Sequence, residues 1–241
     1  MGSLLLSAMA KTVALIPLRG GSKSIPRKNI MEVAGKPLCF WVIDECLKSG
    51  IFDKVYISTE DSEIAVMVYT EYITDPRVIV IKRPKELATD TATTESVILH
   101  FTELIDYNIL FTVQATSPLT RAKDFSNAMF QFALYDYDSM FSGVEIKNFL
   151  WIDDSIETRP LNYHPYARPM RQEREEDPYD LPEIAENGAF YVTKKETFME
   201  HKCRLDGRIG CYLMSAEHIF ELDEPEDLRI ITKLLELRNY V

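Results

Sequence analysis

The sequence has few cysteines, and none of them are paired at close spacing. It contains Cys39, Cys46, Cys203 and Cys211 in 241 residues, and the CxxC spacing of many zinc and redox sites is missing. A chain of this length can bury a sizeable core and does not depend on disulfide crosslinks. We therefore expect these thiols to be reduced and mostly buried, as in a cytosolic compartment.

The sequence also lacks a hydrophobic segment long enough for a signal peptide or a membrane span. The apolar run Leu4–Leu6 near the start is short and has no basic residue before it. We treat residues 1–10 as a leader or an extension and place a single domain at 11–241. The expected location is the cytoplasm, with no membrane partner.

Basic residues are in deficit, which disfavours general binding to nucleic acid. The chain has 27 Lys and Arg against 38 Asp and Glu, a formal net charge of −11. The first 31 residues nevertheless contain no acidic residue, whereas they contain Lys11, Arg19, Lys23, Arg27 and Lys28. A basic segment in an acidic protein predicts a site for a small polyanion; a solvated basic loop is the alternative.

Strand and helix patterns alternate through the first 145 residues. Short apolar runs predict strands at 12–18, 54–59, 78–81, 109–114 and 139–144, with helical spacing between them. This alternation is typical of an α/β fold with a mostly parallel sheet. Five prolines then interrupt the pattern within 149–186, which predicts an inserted arm. Strand character returns at 189–192 and 210–214, and a helix is expected at 227–237.

The loop after the first predicted strand carries the chemistry. It reads RGGSKSIPRKN from Arg19 to Asn29. Gly20 and Gly21 let backbone N–H groups approach phosphate oxygens, and its basic residues can neutralise a triphosphate. The GxxxxGK[ST] pattern of the Walker A loop is absent.

This loop and several later segments resemble acylneuraminate cytidylyltransferases, the CMP-sialic acid synthetases. The loop follows Leu15–Leu18, and the resemblance continues through most of the chain, in GKPL (35–38), FDKVYIST (52–59), KRP (82–84), ELATDT (86–91), QATSPL (114–119) and ENGAFY (186–191). It implies a Rossmann-like nucleotidyltransferase core, Mg²⁺ or another divalent cation, and a homodimer whose arms complete each other's sugar sites.

The resemblance also implies roles for individual residues. The catalytic group comprises Arg19, Lys23, Lys28 and Arg171. The nucleotide-binding group comprises Arg19, Gly20, Gly21, Ser22, Asn29, Arg83 and Thr94. The sugar-binding group comprises Gln114, Arg168, Arg171, Gln172 and Asn187. For Thr94, capping of the following helix is an equal alternative. The arginines at 168 and 171 suit a sugar carboxylate, although acidic neighbours at 173–177 offer them surface ion pairs instead.

An acidic pair near the end of the chain is the candidate metal site. Glu221 and Asp223 follow the strand-like segment 217–220, and alternation points both carboxylates to one side, with no basic residue beside them in the sequence. The family usually has Asp-x-Asp here, so Glu221 is a departure. The alternative is that Asp223 caps the last helix, with Glu226 completing a capping box.

The sequence thus predicts transfer of CMP from CTP to a sialic-acid-type nine-carbon sugar acid, with release of pyrophosphate. Activation of a related acid (deaminated, legionaminic, pseudaminic or eight-carbon) is the first alternative, since the sugar pocket depends on the divergent arm. The eight-carbon acid is the least favoured of these, because the loop of that sub-family differs from RGGSKSIPRKN. No paired aromatic residues occur between Cys203 and Gly210, so the sugar contacts of some bacterial enzymes do not carry over. A non-catalytic nucleotide-binding module on the same fold is the second alternative.

Overall fold

A seven-stranded sheet forms the centre of the structure, a computed structural model that describes residues 10–163 and 182–238. The strands of this sheet are β1 (Thr12–Pro17), β4 (Lys54–Thr59), β5 (Val78–Lys82), β6 (Ile109–Val113), β7 (Ser139–Ile146), β10 (Glu183–Lys194) and β11 (Ile209–Met214). Two small pairs lie outside it: β2 (Glu32–Val33) with β3 (Lys36–Pro37), and β8 (Trp151–Asp153) with β9 (Thr158–Pro160). The described helices are α1 (Leu38–Ser49), α2 (Ser62–Glu71), α3 (Thr94–Leu104), α4 (Ala122–Leu134), α5 (Lys195–His201) and α6 (Asp227–Arg238).

The sheet is mostly parallel, which confirms the predicted fold class. Its strand order is β11-β7-β10-β6-β1-β4-β5. The pairs of β1 with β4 and β6, β4 with β5, and β7 with β11 are all parallel. The strand β10 alone runs against its neighbours β6 and β7. The carboxyl ends of the parallel strands therefore meet at one edge, where α/β proteins bind ligands.

Helices cover both faces of the sheet because its strands are apolar on both sides. In β1, Ala14 and Ile16 pack into one core cluster with α1 and α4, while Val13 and Leu15 pack into a second cluster with α3. All four side chains are fully buried. A strand buried on both faces shows a continuous apolar run rather than alternation, which explains the pattern from Thr12 onward.

The caps of two helices and one short segment differ from the sequence expectation. Thr93, not Thr94, caps α3, since its side chain accepts a hydrogen bond from the N–H of Ser96 at 3.2 Å. The segment Ala216–Ile219 is a 3-10 helix rather than a strand end. Asp223 does not cap α6, which begins only at Asp227; the N–H of Asp223 instead donates to the carboxylate of Asp227 at 3.0 Å.

The inserted arm is described only in part. The pair β8–β9 occupies its first portion, and the residues from Glu183 to Glu186 belong to β10 and pair with β7. Arg168, Arg171 and Gln172 lie outside the described residues, so their predicted roles remain predictions. No helix within the described ranges combines the length and apolar character needed to cross a membrane.

Candidate functional site

A cavity of about 560 Å³ lies at the carboxyl ends of the parallel strands. Its size is within the range of small-molecule sites in proteins. Among its lining residues are Arg19, Gly21, Ser22, Lys28, Asn29, Arg83, Thr93, Thr94, Gln114, Glu186, Gly188, Tyr191, Arg204, Glu221 and Asp223. Residues that are far apart in the sequence thus converge on one space.

The start of the basic loop, Arg19 to Asn29, is fixed by a close packing contact. The N–H of Gly20 donates to Glu60 Oε1 at 2.7 Å. A Cβ atom at Gly20 would lie 2.3 Å from Asp61 Oδ2, so no side chain fits at this position. Asp61 is itself held in place: it caps α2 and pairs with Arg27, and this hydrogen bond with the guanidinium lowers the pKa of the carboxyl. The glycine is therefore required by packing, and its N–H is already engaged by Glu60.

We expect Gly20→Ala to destabilise the fold while Gly21→Ala does not. The first substitution forces a side chain into Asp61 and should lower the free energy of unfolding by about 1–3 kcal/mol. At Gly21 a Cβ would meet no heavy atom within 4 Å. Denaturant titrations of the two variants measure the difference. Equal free energies of unfolding for the two variants would contradict the packing account.

Arg83 has a buried guanidinium whose donors are incompletely satisfied. Its side chain is 4% exposed, and Nη2 lies 3.4 Å from Glu60 Oε2 without hydrogen-bond geometry. Neither Nε nor Nη2 has a hydrogen-bond partner among the described residues. Burial lowers the pKa of this guanidinium, and the charge of Glu60 opposes that effect. Because leaving buried donors unpaired is costly, the arrangement favours a ligand acceptor at this point of the cavity.

Two basic residues of the loop share one carboxylate. Arg19 Nη1 lies 2.9 Å from Asp90 Oδ1, and Lys23 Nζ lies 3.2 Å from Asp90 Oδ2. The hydrogen bond from Lys23, followed by the charge of both cations, lowers the pKa of Asp90. Arg19 lines the cavity, whereas Lys23 does not and its side chain is 78% exposed. Asn29 stabilises the loop from within, since its amide donates to the carbonyl of Arg19 at 2.9 Å.

The two candidate metal ligands both line the cavity. They flank the fully buried Leu222, whose N–H donates to the carbonyl of Thr116 at 2.8 Å and fixes the segment beside the loop after β6. Burial, and then the charge of Asp223, raises the pKa of Glu221 to about 7. Gly188, at φ +66°, gives Glu221 its space: a Cβ there would lie 2.8 Å from Glu221 Oε2.

A basic group that is remote in the sequence lies beside this acidic pair. Lys28 Nζ lies 3.0 Å from Asp223 Oδ1, and the side chain of Lys28 is only 14% exposed. The two residues are 195 positions apart, so the sequence could not show the contact. The contact connects the basic loop with the acidic pair. No group of three or more Asp, Glu, His or Cys suited to a metal occurs within the described ranges.

Comparison with known proteins gives the family. The model of the family described as cytidylyltransferase matches residues 13–241.

The chain belongs to the cytidylyltransferase family.

Individual relatives of this cytidylyltransferase carry more specific names. N-acylneuraminate cytidylyltransferase A of Danio rerio is 34% identical over 215 residues, which is 87% of this chain and 47% of that protein. Pseudaminic acid cytidylyltransferase of Campylobacter jejuni subsp. jejuni serotype O:2 is 26% identical, covering 95% of this chain and 98% of that protein. The chain spans about half the length of the first of these relatives.

A solved structure shows the same fold. CMP:2-keto-3-deoxy-manno-octonic acid synthetase complexed with CTP aligns with a TM-score of 0.67, at 15% identity, over 95% of this chain and all of that one. At this identity the likeness concerns the fold of the cytidylyltransferase and not its substrates.

Most of the predicted site residues in the described ranges share the cavity, and three do not. Gly20, Lys23 and Asn187 are absent from its lining. Asn187 is 1% exposed; its Oδ1 accepts from Ser142 Oγ at 2.7 Å and its Nδ2 donates to the carbonyl of His218 at 2.9 Å. With its amide engaged in the core of the cytidylyltransferase, Asn187 holds β10 in place rather than facing a substrate.

Among the polar residues at or beside the cavity that sequence reasoning missed are Glu60, Glu186, Tyr191 and Arg204. Glu186 and Tyr191 belong to the ENGAFY motif, so the motif itself was a signal for them. Arg204 stands in no motif, and only the fold brings it to the cavity of this cytidylyltransferase.

Proposed function

We propose that this cytidylyltransferase transfers CMP from CTP to the anomeric hydroxyl of a sialic-acid-type nine-carbon 2-keto sugar acid and releases pyrophosphate. The observation that carries the proposal is the cavity in which the basic loop, the unpaired donors of Arg83 and the acidic pair meet. The nucleotide is supported by the family, and the acceptor by the names of the relatives.

The nucleotide occupies the half of the cavity next to β1 and β5. Arg19 and Lys28, with the backbone of Gly21 and Ser22, bind the phosphates, because they lie on the loop after β1 and face the cavity. Arg83 supplies its unpaired N–H donors to acceptors of the cytidine, and Thr94 adds a hydroxyl at the start of α3. Gln114, at the end of β6, lies between this half and the acceptor half.

The residues present fit a divalent cation such as Mg²⁺. Mg²⁺ is commonly bound through one or two carboxylates together with substrate phosphates, and Glu221 and Asp223 provide two carboxylates on one cavity. Burial, followed by the charge of Asp223, raises the pKa of Glu221 despite the nearby Lys28, and a bound cation would lower that pKa again. A bound Mg²⁺ would supply charge neutralisation at the α-phosphate.

The chain's own residues position the reactants and stabilise the charge that develops. The anomeric oxygen forms a bond to the α-phosphorus, the bond between the α-phosphorus and the bridging oxygen breaks, and one proton is released. Lys28 and Arg19 stabilise the negative charge that accumulates on the departing pyrophosphate. The homodimer and the contribution of Arg168, Arg171 and Gln172 to the sugar site remain part of the proposal.

The test is pyrophosphate release in the presence of Mg²⁺, with each of the four nucleoside triphosphates combined with a panel of 2-keto sugar acids. The panel contains N-acetylneuraminic acid, its deaminated counterpart, a pseudaminic-type acid and an eight-carbon acid. We expect release with CTP and a nine-carbon acid only. Release with no combination, by protein that still binds CTP, would favour a nucleotide-binding module instead.

A further inference from the structure

Arg204 is a cation at the cavity that the proposed chemistry does not use. It lies between α5 and β11, and Thr193 Oγ1 donates to its carbonyl oxygen at 2.6 Å, which attaches this segment to β10. Its side chain is 23% exposed and lines the cavity. A basic residue held at this place by a neighbouring strand is fixed relative to any ligand in the cavity.

Arg204 belongs to a row of four side chains that we call the polar wall: Glu95, Arg204, Tyr191 and Glu186. Arg204 pairs with Glu95, and its guanidinium carbon lies 4.3 Å from the centroid of the Tyr191 ring. The Tyr191 hydroxyl donates to Glu186. The guanidinium therefore covers one face of the tyrosine, so that face presents N–H groups rather than an apolar surface.

Tyr191 and Arg204 of the polar wall both keep their protons. Burial and the hydrogen bond to Glu186 raise the pKa of Tyr191 to about 12, so the phenol keeps its proton. Burial lowers the pKa of Arg204, but its contacts with Tyr191 and Glu95 raise it overall. Arg204 is thus a permanent donor.

One of the donors of Arg204 lacks an acceptor. Its Nη1 donates to Glu95, while its Nε is buried and has no hydrogen-bond partner among the described residues. A buried donor of a charged group is costly to leave unpaired. A ligand oxygen in the adjoining cavity removes that cost with a small movement of the side chain.

Three of the four residues of the polar wall lie on the acceptor half of the cavity; the fourth, Glu95, is on α3 beside Thr94 and does not line the cavity. The loops that carry Arg19 and Arg83 follow β1 and β5, which lie on one side of β6 in the strand order. Tyr191 and Glu186 are on β10, on the other side of β6, and Arg204 is attached to the same strand. Of the two substrates, the sugar is therefore the one that meets the wall.

The formal charge of the wall indicates which sugar group it takes. Two carboxylates and one guanidinium leave the wall with a formal charge of −1 (two negative charges and one positive charge on Glu95, Glu186 and Arg204). A net negative surface disfavours the carboxylate of the sugar acid. It suits a neutral oxygen acceptor, such as an amide carbonyl or a hydroxyl.

We propose that Arg204 donates a hydrogen bond to a neutral oxygen of the acceptor sugar, in an acylamino or hydroxyl substituent, and so selects acids that carry that oxygen. This inference rests on the proposed function. It makes Arg204 a determinant of acceptor specificity that has no part in nucleotide binding.

The experiment measures kcat/KM for one active sugar acid and for analogues in which each polar substituent in turn is replaced by hydrogen. In the parent protein, one replacement should lower kcat/KM by about 10- to 100-fold, as expected for a hydrogen bond from a charged donor. In Arg204→Met that difference should disappear, because the variant has no donor left to lose. The KM for CTP should stay within about twofold of the parent value, because Arg204 is attached to β10 and its partner on α3, Glu95, does not line the cavity.

Two further variants serve as the control and as the alternative test of the Arg204 role. Arg208→Met is the matched control: Arg208 is exposed, lies on the same segment, covers the ring of Tyr137 and does not line the cavity. It should retain the parent's preference among the analogues. If Arg204→Met does not fold, Arg204→Lys is the test variant, because it keeps the charge and loses the guanidinium fork. We expect Arg204→Lys to reduce the ratio of kcat/KM between the sugar acid and the sensitive analogue at least about fivefold, on the order of one hydrogen bond.

Three results would overturn the inference. An equal loss for every analogue in the Arg204 variants would indicate a structural role, and a changed KM for CTP would place the residue at the nucleotide. An unchanged preference would show that Arg204 does not contact the sugar. Absence of turnover by the parent protein with every acid is a different failure, since it contradicts the proposed function first and this inference with it.

Discussion

Asp223→Asn should lower kcat/KM for the transfer reaction by about 100-fold or more, the cost expected when a charged metal ligand is neutralised. The substitution keeps the shape of the side chain and removes its charge from a cavity that already holds Lys28 at 3.0 Å. We expect the amount of Mg²⁺ needed for half-maximal turnover to rise as well. Initial rates over a range of Mg²⁺ concentrations measure both effects.

Glu224→Gln is the control for this variant. Glu224 is exposed, adjacent in sequence and absent from the cavity lining. The Glu224→Gln substitution removes one negative charge from the same segment, so it separates a local role of Asp223 from a general effect of net charge. Turnover by Asp223→Asn within a few-fold of the parent value would remove Asp223 from the metal site.

Lys28→Met should lower kcat by about 100- to 1000-fold, the range seen when a preorganised group that stabilises developing charge is removed. Lys28 is largely buried, faces the cavity and joins the basic loop to Asp223. Methionine keeps most of the aliphatic length and removes the charge together with the hydrogen bond to Asp223, so the effect should reside mainly in kcat rather than in folding. Steady-state kinetics and a denaturant titration measure the two contributions separately.

Lys23→Met provides the comparison within the same loop. The side chain of Lys23 is 78% exposed and its contact is with Asp90, so its loss should cost less than about tenfold, as for an exposed ion pair. Equal effects of the two lysine variants would indicate that the loop acts through its total charge. That result would contradict the assignment of a specific role to Lys28.

The fold was predictable because its determinants are local. The apolar run that begins at Thr12 predicts β1, and all its residues as far as Ile16 are buried. Gly50 ends α1 with a left-handed φ of 69°, a conformation that favours glycine. The basic loop was equally visible, since its residues are contiguous. Such features depend on residues that are adjacent in the sequence, so they can be recognised without a structure.

The geometry of the site was less predictable because it depends on contacts between distant segments. The pairing of Lys28 with Asp223 joins residues 195 positions apart, and Arg204 reaches Glu95 across 109 positions. Asn187 is a predicted sugar-binding residue that does not line the cavity. Its motif marked a region that builds the site, but only burial and hydrogen bonds show that this amide supports the fold instead of facing the cavity.

The most direct test of the proposed function is the mass of the product formed from CTP and a nine-carbon sugar acid labelled with ¹⁸O at the anomeric hydroxyl. Attack of that oxygen on the α-phosphorus predicts a CMP-sugar that retains the label and unlabelled pyrophosphate. A CMP-sugar without the label would contradict attack by the anomeric oxygen, and intact CTP after incubation with every acid of the panel would contradict transfer of CMP to the sugar.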